Sequence, residues 1–154
     1  MMSAPAMWPA LALALLGAFL DIRQRRLPNW LCAALALASG AGLGLAAGPA
    51  LLPSALLHAA IALAVGMALF SVGVIGGGDA KFYAAAALAV PASPVTGPLA
   101  LLGWTSVAGL ALLFAMVIGR RTLGRAGKGG LLKGWDVPYG VAIAAGLWVT
   151  LVLG

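Results

Sequence analysis

Glutamate is absent from this chain, and three aspartates are its only acidic residues, against nine Lys and Arg. Charged residues make up 8% of the sequence, whereas a soluble domain carries roughly a quarter. The hydrophobic share is 64%, and apolar runs of about 20 residues, the length that crosses a bilayer, recur along the chain. These deficits exclude a soluble globular domain and indicate a polytopic membrane protein.

Cysteine and histidine are equally scarce, with one residue of each. Cys32 lies inside an apolar run and has no partner for an internal disulfide, and the missing C-x-x-C pair excludes a cysteine-based zinc site. His58 stands alone, so we expect a polar group at a packing contact and not a metal ligand. The sequence therefore predicts no metal and no cofactor.

The formal net charge of +6 would suit nucleic acid, but the cations occupy only short loops between apolar segments. We therefore expect no nucleic-acid partner, and we expect the basic loops to attract anionic lipid of the bilayer. The glycine-rich stretch G-R-A-G-K-G-G at 124–130 lacks the spacing of a phosphate-binding loop, which argues against nucleotide binding.

Hydropathy predicts an all-α polytopic membrane protein with six transmembrane helices and no soluble domain, as one domain over residues 1–154. The fourth segment is short, so five spans are the alternative. Six spans place all nine cations on one face, which the positive-inside rule identifies as cytoplasmic, with both termini on the other side. The predicted spans run over 4–20, 29–47, 51–75, 80–92, 97–118 and 135–153.

All three aspartates fall at the predicted cytoplasmic face: Asp21 ends span one, Asp79 follows three glycines, and Asp136 begins span six. Ionisable groups at membrane depth are costly and are functional candidates. Two carboxylates that share one proton and hold a water between them can hydrolyse a peptide bond. The pattern of Asp21 and Asp79 therefore suggests an aspartyl protease.

Each aspartate also has a structural interpretation. Asp79 would be a helix N-cap after a glycine hinge, and Asp21 would balance the arginines that follow it. Asp136 precedes Val-Pro at the start of a span, where we favour a cap over catalysis. We expect the Lys81 side chain to extend to the cytoplasmic headgroups; the alternative is that Lys81, two residues after Asp79, tunes that carboxylate electrostatically.

At these residues the chain resembles the type IV prepilin peptidases, which belong to the G-x-G-D class of intramembrane aspartyl proteases. Asp21 followed by Leu-Pro28-Asn29 is similar to the family's first motif. The run Gly76-Gly-Gly78-Asp79-Ala-Lys81 is similar to its second motif, G-x-G-D-x-K. The stretch P-Y-G-V-A at 138–142 resembles its final-span signature, so the similarity extends over essentially the whole chain.

The resemblance implies that Asp21 and Asp79 are the catalytic pair and that Gly76 and Gly78 shape the approach of the substrate. It makes Lys81, Pro28 and Asn29 motif residues of the same site. It also implies a hydrolase without a cofactor, which removes the short basic leader of prepilins or pseudopilins on the cytoplasmic side of a bacterial inner membrane. The pilus assembly machinery is then a further partner.

Departures from the family pattern narrow this expectation. Long members carry a cytoplasmic domain with paired C-x-x-C motifs and also N-methylate the new terminus. Here only residues 21–28 separate the first two spans and no C-x-x-C occurs, so no methyltransferase activity is expected. The chain looks like the short form associated with Flp-type, or tight-adherence, pili.

Two other function classes remain open. A non-catalytic component of a pilus or secretion assembly would use the aspartates only as caps and charge partners. A small transporter would use Asp79 as a proton or cation relay, but a relay predicts acidic groups near the bilayer midplane. The aspartates lie at span ends, which disfavours transport.

Overall fold

The structure, a computed structural model, describes residues 5–122 and 138–153, which form helices and no strand. Six α-helices occur among these residues, so the predicted all-α fold is confirmed for them. Short 3-10 turns precede α1 and α3. The α-helices are α1 (Trp8–Gln24), α2 (Asn29–Ala47), α3 (Leu52–Ser71), α4 (Gly77–Ala87), α5 (Thr96–Thr122) and α6 (Tyr139–Leu153).

Four of the described helical segments are long and apolar enough to cross a bilayer: Pro5–Gln24, Asn29–Ala47, Pro49–Ser71 and Thr96–Gly119. Helix α6 is apolar but shorter. Helix α4 has 11 residues, and at 1.5 Å per residue it spans roughly 16 Å, about half the hydrocarbon core. The number of helices matches the six predicted spans, while six membrane crossings without a soluble domain stay a prediction.

Helix α3 ends earlier than predicted, at Ser71 instead of residue 75. Gly73 adopts a left-handed φ of 75°, and the N–H of Val74 donates to the carbonyl of Leu69 at 2.9 Å. This is the glycine-terminated helix end in which later N–H groups satisfy the last free carbonyls. Residues 72–76 therefore form a non-helical segment that leads into α4.

Helix α4 occupies the centre of the helix bundle, although it is the shortest of the six described α-helices. It packs against α2, α3 and α6, and Phe82 on it is completely buried. The Phe82 ring fills the space beside Gly17 of α1, and a Cβ at Gly66 of α3 would lie 2.9 Å from the Ala80 Cβ. Glycines at these contacts allow the close helix approach that stabilises bundles in lipid.

Helix α6 lies between α1 and α5, and its N-terminus is placed beside the C-terminal end of α1. The Trp148 Nε1–H donates to the Leu11 carbonyl at 3.2 Å, and the Trp148 ring meets Trp8 edge-on at a centroid distance of 5.9 Å. On the other side, Gly146 packs tightly against Thr105 of α5. These contacts hold α6 in register with both neighbours.

The four-residue spacing of Gly40, Gly44 and Gly48 predicts a packing ridge along the second span, but the described residues do not pack closely against it. No atom lies within 4 Å of a Cβ built at Gly40 or Gly48, and only Leu52 approaches Gly44. The close contact is made by Gly42, which faces the segment before α1. Glycine spacing alone did not identify the face of α2 that packs against a neighbour.

Candidate active site

A polar cavity of about 860 Å³ opens at the end of the bundle where α1 and α3 end and where α2, α4 and α6 begin. Its walls are the last turn of α1, the connecting residues 25–28, the segment 73–76 and the first residues of α2, α4 and α6. Asp21 and Asp79 both line this polar cavity.

Asp21 lies in the last turn of α1, and its side chain is buried, with 6% of its surface exposed. Its Oδ2 accepts a hydrogen bond of 2.8 Å from the backbone N–H of Gly140, near the start of α6. The sequence identified Gly140 only as part of the P-Y-G signature and did not predict this contact with Asp21. The position of the signature at the start of a span was the one feature of the sequence that pointed to it.

Asp79 lies in the first turn of α4, half-buried and outside the four membrane-length helices. A Cβ at Gly76 would fall 2.7 Å from its Oδ2, so the missing side chain of Gly76 leaves room for the carboxylate. Burial raises the pKa of Asp79 to about 6, the nearby Asp21 charge adds to the rise, and the Gly76 backbone opposes it. The Asp79 carboxyl therefore retains its proton to an unusually high pH.

The two sequence motifs meet in space, although about 50 residues separate them along the chain. The Lys81 Nζ donates to the Asn29 Oδ1 at 3.1 Å. A Cβ at Gly78 would contact the Leu27 side chain at 3.4 Å and its carbonyl at 3.5 Å. Gly78 therefore lets the start of α4 lie against the Leu-Pro-Asn segment.

The structure places six of the seven predicted site residues in the lining of the polar cavity. Lys81 is the seventh, and it reaches the cavity wall through Asn29. Asp136 lies outside the described residues. The six lining residues are Asp21, Pro28, Asn29, Gly76, Gly78 and Asp79.

A family model for the type IV leader peptidase family matches residues 8–120, most of the chain and both Asp21 and Asp79. The chain belongs to the type IV leader peptidase family. This confirms the resemblance seen in the motifs and makes the protein a peptidase with a prepilin leader peptidase role. Together with its long apolar helices, family membership makes it an integral membrane protein. No curated protein and no solved structure matches the chain.

A second cavity of this leader peptidase family member, which we call the apolar cleft, lies between α3 and α5 and measures about 830 Å³. Most of its lining residues are apolar, among them Val65, Leu69 and Leu102. Helix α5 packs mainly against α6, and large apolar side chains along α5 are exposed. Sequence reasoning did not predict the apolar cleft, because hydropathy does not tell which faces of two helices stay apart.

The polar cavity and the apolar cleft share three lining residues: Ile75, Asp79 and Tyr139. Asp79 is thus bordered by polar groups and cations on one side and by apolar side chains of α3 and α5 on the other. Across residues 5–122 and 138–153, no three His, Cys, Asp or Glu side chains are grouped closely enough to bind a metal ion.

Proposed function

We propose that this peptidase is an aspartic endopeptidase in which Asp21 and Asp79 activate water to remove the short basic leader of type IV, Flp-like prepilins or pseudopilins. One observation carries the proposal: both carboxyl groups line a single polar cavity and interact electrostatically, so that Asp21 helps raise the pKa of Asp79 to about 6. A pair of this kind holds one proton between two carboxyl groups.

In the proposed reaction, the ionised carboxylate takes a proton from the water as its oxygen attacks the carbonyl carbon of the scissile peptide bond. The protonated carboxyl group donates a hydrogen bond to the oxyanion that develops on the carbonyl oxygen. The C–N bond then breaks, and a proton passes to the leaving amine. The apparent pKa values of this reaction would belong to the pair and not to either residue.

The apolar cleft is the proposed docking surface for the apolar segment of the substrate that adjoins the scissile bond. Its continuity with the polar cavity supports this assignment, because Asp79 borders both. The cleft is lined mainly by α3 and α5, two membrane-length helices. A substrate held there would present its polar leader to the cavity and keep its apolar part in lipid.

The proposed orientation places the polar cavity on the cytoplasmic side of a bacterial inner membrane. Arg23, Arg25, Arg26 and Lys81 all cluster at the end of α1 or the start of α4, beside this cavity, and cations are concentrated on the cytoplasmic side. The same basic loops would contact anionic lipid. Residues 25–28 alone connect α1 to α2, which supports a leader peptidase without methyltransferase activity.

To test the proposal, the protein is co-expressed with a prepilin. Cleavage is detected as a change in the electrophoretic mobility of the prepilin. Asp21→Asn and Asp79→Asn should each lower the cleavage rate on the order of 10²–10⁴-fold, the contribution of a positioned acid or base. Asp136→Asn is the matched control and should retain much of the activity, because we expect a helix cap at that position. Membrane insertion of all three variants is checked by fractionation.

Full processing by either Asp21→Asn or Asp79→Asn would remove the catalytic assignment. The protein would then be a non-catalytic component of the assembly in which the aspartates are caps and charge partners. The hydrogen bond between Asp21 and Gly140 would in that case serve only to join α1 to α6.

A further inference from the structure

The backbone contact between α1 and α6 gives the two aspartates different surroundings. We propose that Gly140 is a positioning residue of the cleavage reaction, whose N–H and missing side chain hold the Asp21 carboxylate as the ionised member of the pair. Asp79 is then the protonated member. This inference rests on the proposed aspartic mechanism and assigns a separate role to each carboxyl group within it.

The hydrogen bond itself favours an ionised Asp21. The Gly140 N–H donates to Oδ2 at 2.8 Å in a buried setting, and a backbone N–H that donates to a carboxylate stabilises its charged form. Gly140 is the second residue of the 15-residue helix α6. The first N–H groups of a helix have no partner within it, and the helix dipole adds partial positive charge there.

The missing side chain of Gly140 is its second contribution to the position of the Asp21 carboxylate. A Cβ at this position would lie 2.9 Å from the Asp21 Oδ2, 3.0 Å from its Cβ and 3.2 Å from its Cγ. The two helices cannot separate freely, because Trp148 bonds to the Leu11 carbonyl further along the same contact. Any larger residue at 140 must therefore displace the carboxylate from its donor.

Within residues 5–122 and 138–153, no hydrogen bond from another helix reaches the Asp79 carboxyl group. Its backbone partner is Gly76, the residue that precedes α4, and burial together with the Asp21 charge outweighs the effect of that hydrogen bond on the Asp79 pKa. Among the described residues, the charged or titratable groups that line the polar cavity with Asp21 are Arg25 and Arg26 in the connection to α2, Asp79 in α4 and Tyr139 in α6. Because the Gly140 N–H donates to Asp21 from the start of a neighbouring helix, we assign the negative charge to Asp21 and the shared proton to Asp79.

Gly140→Ala tests this role against Gly146→Ala, which crowds Thr105 in the contact of α6 with α5 and leaves Asp21 untouched. Gly140→Ala should lower kcat on the order of 10–10²-fold, because the carboxylate is misplaced by the added methyl group, with KM nearly unchanged. The acid-side limb of the pH–rate profile should move to higher pH. Gly146→Ala should weaken packing and leave the profile of the inserted enzyme unchanged.

Similar kcat losses with an unchanged pH profile in both glycine variants would overturn the positioning role. If Gly140→Ala does not insert, infrared spectra at pH 5 decide instead, since the band of a protonated carboxyl should vanish in Asp79→Asn and persist in Asp136→Asn. Persistence of the band in Asp79→Asn would contradict the assignment of the proton. If either result contradicts the role of Gly140 while Asp21→Asn and Asp79→Asn both abolish cleavage, the proposed function still stands.

Discussion

The polar cavity and the apolar cleft adjoin each other, yet their linings are opposite in character. The polar cavity is lined by helix ends, connecting segments and the side chains of Arg25 and Arg26. The apolar cleft is lined mainly by regular helix and aliphatic side chains. Asp79 borders both, so one carboxyl group lies between polar surroundings on one side and an apolar surface on the other.

The difference follows from where the backbone is hydrogen-bonded. In the middle of α3 and α5 every peptide group can pair within its helix, so the surface can be entirely apolar. At the polar cavity several helices end together, and their free N–H and C=O groups require water or polar partners. A hydrolytic site needs that water, and a membrane-anchored substrate needs the apolar surface beside it.

Three further changes can be compared: one in the apolar cleft, one in the polar cavity and one at the opposite end of the bundle. Filling the apolar cleft should have the largest effect. Gly109 lines it, and a Cβ there would meet only Ala142, at 3.7 Å. Gly109→Trp should therefore occupy the cleft and reduce cleavage of a membrane-anchored prepilin on the order of 10–10²-fold through misplacement of the scissile bond. Cleavage rates in proteoliposomes measure this.

Gly103→Trp is the matched control, since Gly103 lies on α5 outside the cleft lining, with nothing within 4 Å of its Cβ position. A soluble leader peptide without the apolar segment should be cleaved equally by both variants. Unchanged cleavage of the anchored substrate by Gly109→Trp would mean that the cleft holds lipid and not the substrate.

Removing the Asp21 charge from the polar cavity should have an intermediate effect, which we expect on the pKa of Asp79. A like charge nearby disfavours ionisation, so in Asp21→Asn the pKa of Asp79 should fall below about 6. It should stay above the ordinary value of 3.8, because burial is the larger cause of the rise. Infrared titration of the carboxyl stretch measures the shift.

In Asp136→Asn the pKa of Asp79 should stay at about 6, which controls for the loss of an acidic residue elsewhere. An unchanged pKa in Asp21→Asn would mean that the two carboxyl groups do not interact. The polar cavity would then bring them together without coupling their titration.

The smallest effect is expected at the end of the bundle opposite the polar cavity. There the Ser54 Oγ accepts a hydrogen bond of 3.1 Å from the Ser93 N–H, which ties the segment after α4 to α3. Ser54→Ala should lower the free energy of unfolding by about 0.5–1.5 kcal/mol and leave the cleavage rate of inserted protein unchanged. Denaturation in mild detergent and the prepilin assay measure the two quantities.

Ser71→Ala removes a hydroxyl that donates to the Ala68 carbonyl of its own helix, and it should lower the free energy of unfolding less than Ser54→Ala does. A large loss of cleavage in Ser54→Ala would contradict the expectation that this hydrogen bond contributes to stability and not to cleavage.

Much of the site followed from local sequence patterns. The grouping of Asp21, Asp79 and the motif residues at one end was predicted from span order and cation placement, and six of the seven predicted site residues line one cavity. Their catalytic roles stay a prediction. The bounds of α4 were not predicted, since Gly73 ends α3 early and α4 begins at Gly77 instead of residue 80.

The contact between Gly140 and Asp21 joins residues 119 positions apart, and no periodicity within one helix encodes it. The same applies to the packing of α2, where spacing favoured Gly40 and the structure uses Gly42. Contacts between helices depend on which faces meet. In so uniformly apolar a chain, hydropathy distinguishes those faces poorly.

The sequence by itself determined the membrane character, the order of the helices and the positions of the few ionisable groups, because hydropathy and charge act locally along the chain. Only the tertiary structure decided that Asp21 meets the N-terminus of α6, that Asp79 separates a polar cavity from an apolar cleft, and that the short α4 lies at the centre. These arrangements depend on close packing between distant helices, where the presence or absence of one Cβ atom determines how near two backbones can come.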